Sequence, residues 1–166
     1  MNSPPIQFLR KAYKLFCRVA DWLQPVFLLI FRLTWGWQFF VSGKGKLIHH
    51  PDIVEFFTSL HIPFPDLNAW FIGGLEVVGG VLLALGLASR PIAFVLTISM
   101  VMAYLSVDDD RAKVFNIFHD STPFLQADPF FFLLTAFIIL AFGPGVISVD
   151  WLLKKFAFKE TDKPAP

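Results

Sequence analysis

The chain has 166 residues, of which 55 % are hydrophobic, 17 % aromatic and only 16 % charged, with 21 phenylalanines and a formal net charge of +1. A soluble domain carries about 25 % charged residues, so this composition excludes an ordinary water-soluble fold and points to a single-domain membrane protein. The near-neutral balance, with no Lys/Arg cluster interleaved with aromatics, also excludes nucleic acid as a partner.

In chain order, residues 1–20 come first. Gln7, Arg10, Lys11, Lys14 and Arg18 recur at helical spacing, with Ile6, Leu9, Tyr13, Phe16, Val19 and Ala20 filling the other faces. This pattern predicts an interfacial amphipathic helix with its bases toward anionic lipid. The apolar run that follows begins late and has no small-residue cleavage site after it, so the first helix is expected to stay rather than leave as a signal peptide.

Four segments read as spans, at about residues 22–41, 67–87, 91–107 and 129–149. Each approaches the ~17–25 residues that cross a ~30 Å hydrocarbon core. The third is short, as an upright helix held by its neighbours would be. Between the first two spans, Pro51 opens a short helix through Leu60, ended by His61-Ile62-Pro63-Phe64-Pro65, which no helix continues through. The loop from Asp108 to Asp128 carries Val114, Phe115, Ile117 and Phe118. Both loops are expected to lie over the outer face as a roof. Nine Lys and Arg fall on one side of the spans and four on the other, which predicts cytoplasmic termini, including a tail at 153–166. Trp22, Trp70 and Trp151 sit near the expected interfaces.

The expected fold is therefore an all-α membrane protein: a four-transmembrane-helix bundle over residues 21–152, preceded by the interfacial helix, with short helical segments in the outer loops. Gly143-Pro144-Gly145 interrupts the fourth span near its end. Irregular backbone at that depth requires protein or water to satisfy it.

Two charges stand deep in these spans. Arg32 lies ten residues in from Trp22 and Glu76 nine in from Leu67. At 1.5 Å per residue both fall ~14–15 Å from opposite faces, so they are expected to pair at the midplane. A charge there costs roughly 2.5–3.5 kcal/mol and marks a bundle interior. Gly36 and Gly43, four and eleven residues after Arg32, with Gly73, Gly79 and Gly80 around Glu76, predict a close helix seam at the same level. Gln38, Ser42, Asp66, Asn68, Thr97, Ser99, Tyr104 and Ser106 would extend a polar path from the outer face to the pair if they converge. The competing assignment makes the pair a strut that fixes helix register.

The inventory excludes some chemistry. A single cysteine, Cys17, rules out a dithiol mechanism, and no span contains the two histidines that a membrane haem needs. His49, His50, His61 and His119 all fall on the outer side near several aspartates, a set whose types suit Zn, Cu or Fe, with plain solvated histidines as the alternative.

Arg32 with Gly36 and Phe39, Gly43-Lys44-Gly45-Lys46-Leu47, His61-Ile62-Pro63-Phe64-Pro65, Leu75-Glu76 with Gly79-Gly80, Leu85-Gly86, Arg90, and Gly143-Pro144-Gly145 with Ser148 and Asp150 together resemble the DoxX family of small bacterial membrane proteins. The resemblance covers about residues 25 to 151. It implies a four-helix domain of the bacterial inner membrane associated with oxidoreductase systems, with Arg32, Glu76 and Asp150 on family motif positions. The function expected on that basis is an accessory subunit of a membrane redox system that binds a quinone between the helices. Arg32 would hydrogen-bond a quinone oxygen and Glu76 would balance Arg32 or pass a proton, while Trp35, Trp37, Gln38, Asn68 and Tyr104 would surround the ring. Such a chain requires a redox partner protein for its electrons, whether or not it is itself an oxidoreductase. The rival functions are a non-catalytic scaffold, and a small transporter or metal-handling protein using the four histidines. The bilayer is a partner in every case, and homo-oligomerisation is left open.

Overall fold

The computed structural model describes residues 4–157, with side chains from 7 to 156, and every element among them is helical. Residues 158–166 of the expected tail lie outside the described residues. Helix α1 spans Pro4–Ile48, α2 His50–Ser59, α3 Pro65–Leu85 and α4 Ser89–Ser106. Asp108–Phe115 is α5, Thr122–Leu125 is α6, Pro129–Phe142 is α7 and Val149–Ala157 is α8.

Three helices, α1, α3 and α4, are long and apolar enough to cross a membrane. The second half of α1 packs along α3, α4 packs along α7, and α3 and α4 form an antiparallel hairpin. Gly86 ends α3 at φ +71°, a left-handed value that glycine adopts without strain, and Ala88 opens α4 at φ +47°. The core between the helices is built from Leu28, Phe39, Leu83, Ala93, Leu96, Met100, Ala136 and Ile139.

The structure corrects two expectations about the elements. The interfacial helix expected at residues 1–20 is not separate: α1 runs unbroken for 45 residues, about 67 Å against a ~30 Å hydrocarbon core. Pro25 inside it lacks the N–H that the Asp21 carbonyl would use, yet the helix continues through it. The fourth expected span also differs. Its helix stops at Phe142, after 14 residues, because Gly143 adopts φ +79° and Pro144 follows. The short helices expected in the loops are present as α2, α5 and α6, but Phe115 and Phe118 point outward and do not roof the bundle.

The α1–α3 seam is as close as its glycines permit. A Cβ on Gly80 would lie 2.5 Å from the Gly36 carbonyl oxygen and 2.6 Å from the Phe40 nitrogen. Lower on the same seam, a Cβ on Gly43 would lie 2.6 Å from the Gly73 carbonyl oxygen. Gly79 is different, since it faces Leu96 of α4 rather than α1.

Candidate functional site

Both deep charges are buried, Arg32 at 1 % exposure and Glu76 at 2 %. They do not pair. The antiparallel register sets Arg32 beside Gly86, while Glu76 lies beside Gly43. Gly86 and Glu76 are ten residues apart on α3, roughly 15 Å. The expected pairing failed because α1 runs on to Ile48, and the part of it that packs level with Glu76 is Gly43, past the expected end of the first span, rather than Arg32.

Each charge is instead the centre of its own cluster. The Arg32 guanidinium donates to the carbonyls of Pro144, Ile147 (2.8 Å) and Ala84 (3.4 Å). Ala84 lies in the last turn of α3, where carbonyls lack helical partners and a cation is favoured by the helix dipole. Pro144 and Ile147 belong to the irregular stretch between α7 and α8, whose carbonyls have no helix to satisfy them. One fork on α1 therefore satisfies three carbonyls from two other segments at once.

Asp150 completes this knot from the first turn of α8. Its two carboxylate oxygens accept from the Ala88 and Ser89 N–H groups, each at 2.8 Å, and so cap α4 from outside. Its own N–H donates to the Gly86 carbonyl at 2.9 Å. Ser148 donates to the Gly145 carbonyl and accepts from the Trp151 N–H. Asp150→Ala is expected to lower stability by about 0.5–2 kcal/mol through loss of the cap, seen as a lower thermal midpoint in detergent, with Asp150→Asn losing less.

The second cluster sits under a cavity. Glu76 Oε2 accepts from Lys46 Nζ at 2.5 Å and from Ser42 Oγ at 3.0 Å, and Lys46 also donates to Ser42 Oγ at 2.8 Å. Above them is a cavity of about 740 Å³ with a mainly apolar lining. Its walls come from α3 (Phe71, Ile72, Leu75), α4 (Val95, Ile98, Met102) and Phe132 of α7. Phe56 and Phe57 of α2, with Leu60 just after it, close its top, as the sequence led one to expect of this segment. The adjoining turn also lines it, held between His61 at φ +56° and Phe64 at φ +49°, and Asn68 Nδ2 ties it down on the Pro63 carbonyl at 2.6 Å. Left-handed non-glycine residues cost on the order of 1–3 kcal/mol each and persist only where the surroundings enforce them.

The expected ligand set is only partly assembled. Glu76 and Asn68 line the cavity, together with Ser42, Ser99 and Ser106 of the expected polar path. Arg32 does not; its two terminal guanidinium nitrogens face backbone carbonyls. Gln38 and Trp37 are exposed on the outer flank of α1. Trp35 stacks on Phe131 and meets Phe132 edge-on, which places it behind the cavity wall. Tyr104 is buried, its hydroxyl donating to the Phe124 carbonyl at 3.0 Å. Lys46 is the residue the sequence did not single out. The signal was available in Ser42 and Lys46, four residues apart and hence on one helix face, beside the close-packing Gly43.

The four histidines do not converge. His49 hydrogen-bonds the Gly45 carbonyl, His50 stacks on Trp70 at 4.5 Å, His61 lines the cavity and His119 is exposed. Among the described residues no group of three or more His, Cys, Asp or Glu side chains is placed to hold a metal ion. On α5, Asp110 accepts from Lys113 Nζ at 2.6 Å; that bond, with Asp109 and Asp128 nearby, raises the Lys113 ammonium above its ordinary range.

Comparison with known proteins gives a consistent set of relatives. The DoxX family model matches residues 27–109, half of the chain. An uncharacterized protein of Haemophilus influenzae is 29 % identical over 143 residues, covering 84 % of this chain and 91 % of that protein. The "Inner membrane protein YphA" of Escherichia coli is 29 % identical over 137 residues, covering 76 % and 90 % respectively. The "Putative oxidoreductase CatD" of Bacillus subtilis is 32 % identical over 79 residues, 48 % of this chain and 58 % of that protein. No solved structure matches.

Proposed function

This chain belongs to the DoxX family, and from that premise we propose that it binds a lipophilic redox carrier, of quinone type, in the cavity above Glu76, as an accessory protein of a membrane redox system. The observation that carries this reading is the cavity itself: about 740 Å³, walled by apolar side chains, with the buried Glu76 carboxylate and the half-buried Lys46 ammonium on its floor. That volume suits a ring and the start of an apolar tail, since small-molecule sites enclose ~300–1,000 Å³ with a few placed polar groups. Lys46 and Glu76, rather than Arg32, would hold the polar head of the carrier. A bound quinone would supply two-electron, two-proton redox chemistry, with a partner protein as the electron source. The names of the relatives CatD and YphA agree with an oxidoreductase setting and an inner-membrane location.

The same proposal places four crossings in the membrane, with both termini cytoplasmic. Helix α7 alone is about 21 Å long, too short for a ~30 Å core. The Gly143–Ser148 stretch would complete the crossing, and irregular backbone at that depth is tolerable because Arg32 supplies the donors its carbonyls need.

Binding is testable directly. Protein purified in mild detergent is expected to carry a quinone detectable by mass spectrometry, and added quinone at a hundredfold excess over its dissociation constant should raise the thermal midpoint by roughly 5–10 °C. Ala103→Trp, which fills the cavity from α4, should keep the fold and abolish the shift. Absence of both the bound molecule and the shift in the parent protein rejects the proposal.

A further inference from the structure

Taking the cavity as the binding site just proposed, we infer that it selects a ligand with an uncharged hydroxyl head on an apolar body, and therefore the hydroquinone form of a carrier over the quinone. Both bonds to the Glu76 carboxylate land on Oε2. Oε1 accepts nothing from the described residues, and it is not among the buried side-chain atoms sealed without a partner. Lys46 has three ammonium protons and spends two of them, on Ser42 and on Glu76. The hydroxyl of Ser42 is itself committed, donating to Glu76 and accepting from Lys46. What the floor offers a ligand is thus one carboxylate acceptor and one ammonium donor side by side.

Only some head groups answer both. A hydroxyl donates to Oε1 and accepts from Lys46, whereas a quinone oxygen accepts from Lys46 but meets the Oε1 lone pairs without a proton between them. Charged heads fit worse. A phosphate or carboxylate is repelled by Glu76 and an amine by Lys46, and either leaves the neutral pair with a net charge inside an apolar wall. The route of access agrees with a membrane-dissolved body. Helices α3 and α4 touch where Leu96 lies against Gly79, and toward the α2 end the cavity occupies the space between them. Phe71, Ile98 and Met102 line it while remaining exposed on the flanks of those helices, so its mouth faces lipid.

The full chain in lipid nanodiscs under anaerobic conditions can be titrated with decyl hydroquinone, the matching quinone, the hydroquinone dimethyl ether and a diacylglycerol, with the thermal midpoint as readout. The hydroquinone is expected to bind about tenfold or more tightly than the quinone and the dimethyl ether, as the loss of a hydrogen bond to an ionised group implies. Glu76→Gln should shrink that ratio to about twofold, and the ether comparison in the parent protein holds even if this variant misfolds. Quinone or ether binding as tightly as hydroquinone overturns the inference and leaves the carrier proposal standing. Diacylglycerol binding without hydroquinone binding supports the hydroxyl head and overturns the redox carrier. If no ligand shifts the midpoint, both fall.

Discussion

Arg32→Met will unfold this protein more effectively than any loss of a cavity-lining residue. The substitution keeps much of the side-chain volume but strands the carbonyls of Pro144, Ile147 and Ala84, all of which accept from one guanidinium. Each buried acceptor left without a donor costs ~1–3 kcal/mol, so a loss on the order of 3–6 kcal/mol is expected, reduced where water reaches the freed groups. Such a loss is a large part of the stability of a domain this size. Arg32→Lys retains the charge but has no planar fork, and should recover only part of the loss. Thermal unfolding in detergent measures both. A wild-type midpoint in Arg32→Met would show that the guanidinium is not the tie between α1, α3 and the segment before α8.

The separation of the two charges adds a sharper expectation to the same experiment. Arg32 and Glu76 share no partner and lie roughly 15 Å apart along the seam. Their double replacement should therefore be additive within ~0.5 kcal/mol, whereas Lys46 and Glu76, in contact at 2.5 Å, should show a coupling of about 0.5–3 kcal/mol. Coupling between Arg32 and Glu76 of that size would contradict the register found here.

Gly80→Ala is expected to cost about 1–3 kcal/mol by overpacking, and Gly80→Leu to prevent assembly of the seam. The added methyl has nowhere to go, because the atoms it meets are the backbone of Gly36 and Phe40 rather than the ends of flexible side chains. Displacing α1 would also draw Lys46 and Ser42 away from Glu76, so ligand binding should fall together with stability. Gly74→Ala and Gly45→Ala provide the control. Neither would meet any atom within 4 Å, and the better helix propensity of alanine should leave them neutral or more stable by up to ~1 kcal/mol. The fraction of folded protein recovered after detergent extraction, compared across these four variants, separates close approach from a general intolerance of change.

Much of the architecture was legible in the residues. Long apolar runs must be helices in lipid, because no other single segment satisfies its own backbone there. Pro and Gly marked helix breaks before α3, at Pro63 and Pro65, and at Gly143 for α7, whereas the expected second span ran through Gly86, where α3 in fact ends. The glycines of the seam were likewise readable, since small residues at helical spacing allow backbones to approach closely. The burial of Arg32 and Glu76 followed from the cost of leaving either charge in hydrocarbon.

The partners of those charges were not legible, and the reason is physical. Depth in a membrane depends on where each helix enters it, and α1 gives no local sign that it begins well before residue 22 and continues past residue 41. A shift of one helix along another changes no residue's burial preference, yet it exchanges every cross-helix partner. Arg32 thus reads as a midplane charge in one dimension and proves to be a clasp on the broken backbone before α8. Likewise, Lys46 reads as a loop cation, and only the packing of α1 on α3 turns it onto Glu76 beneath the cavity. The sequence by itself determined that this is a helical membrane protein with two buried charges and a glycine-lined seam, because composition, periodicity and solvation costs are local. The tertiary structure alone decided which charge ties the fold and which faces a ligand, because that depends on helix register, which the contacts of the whole bundle set together.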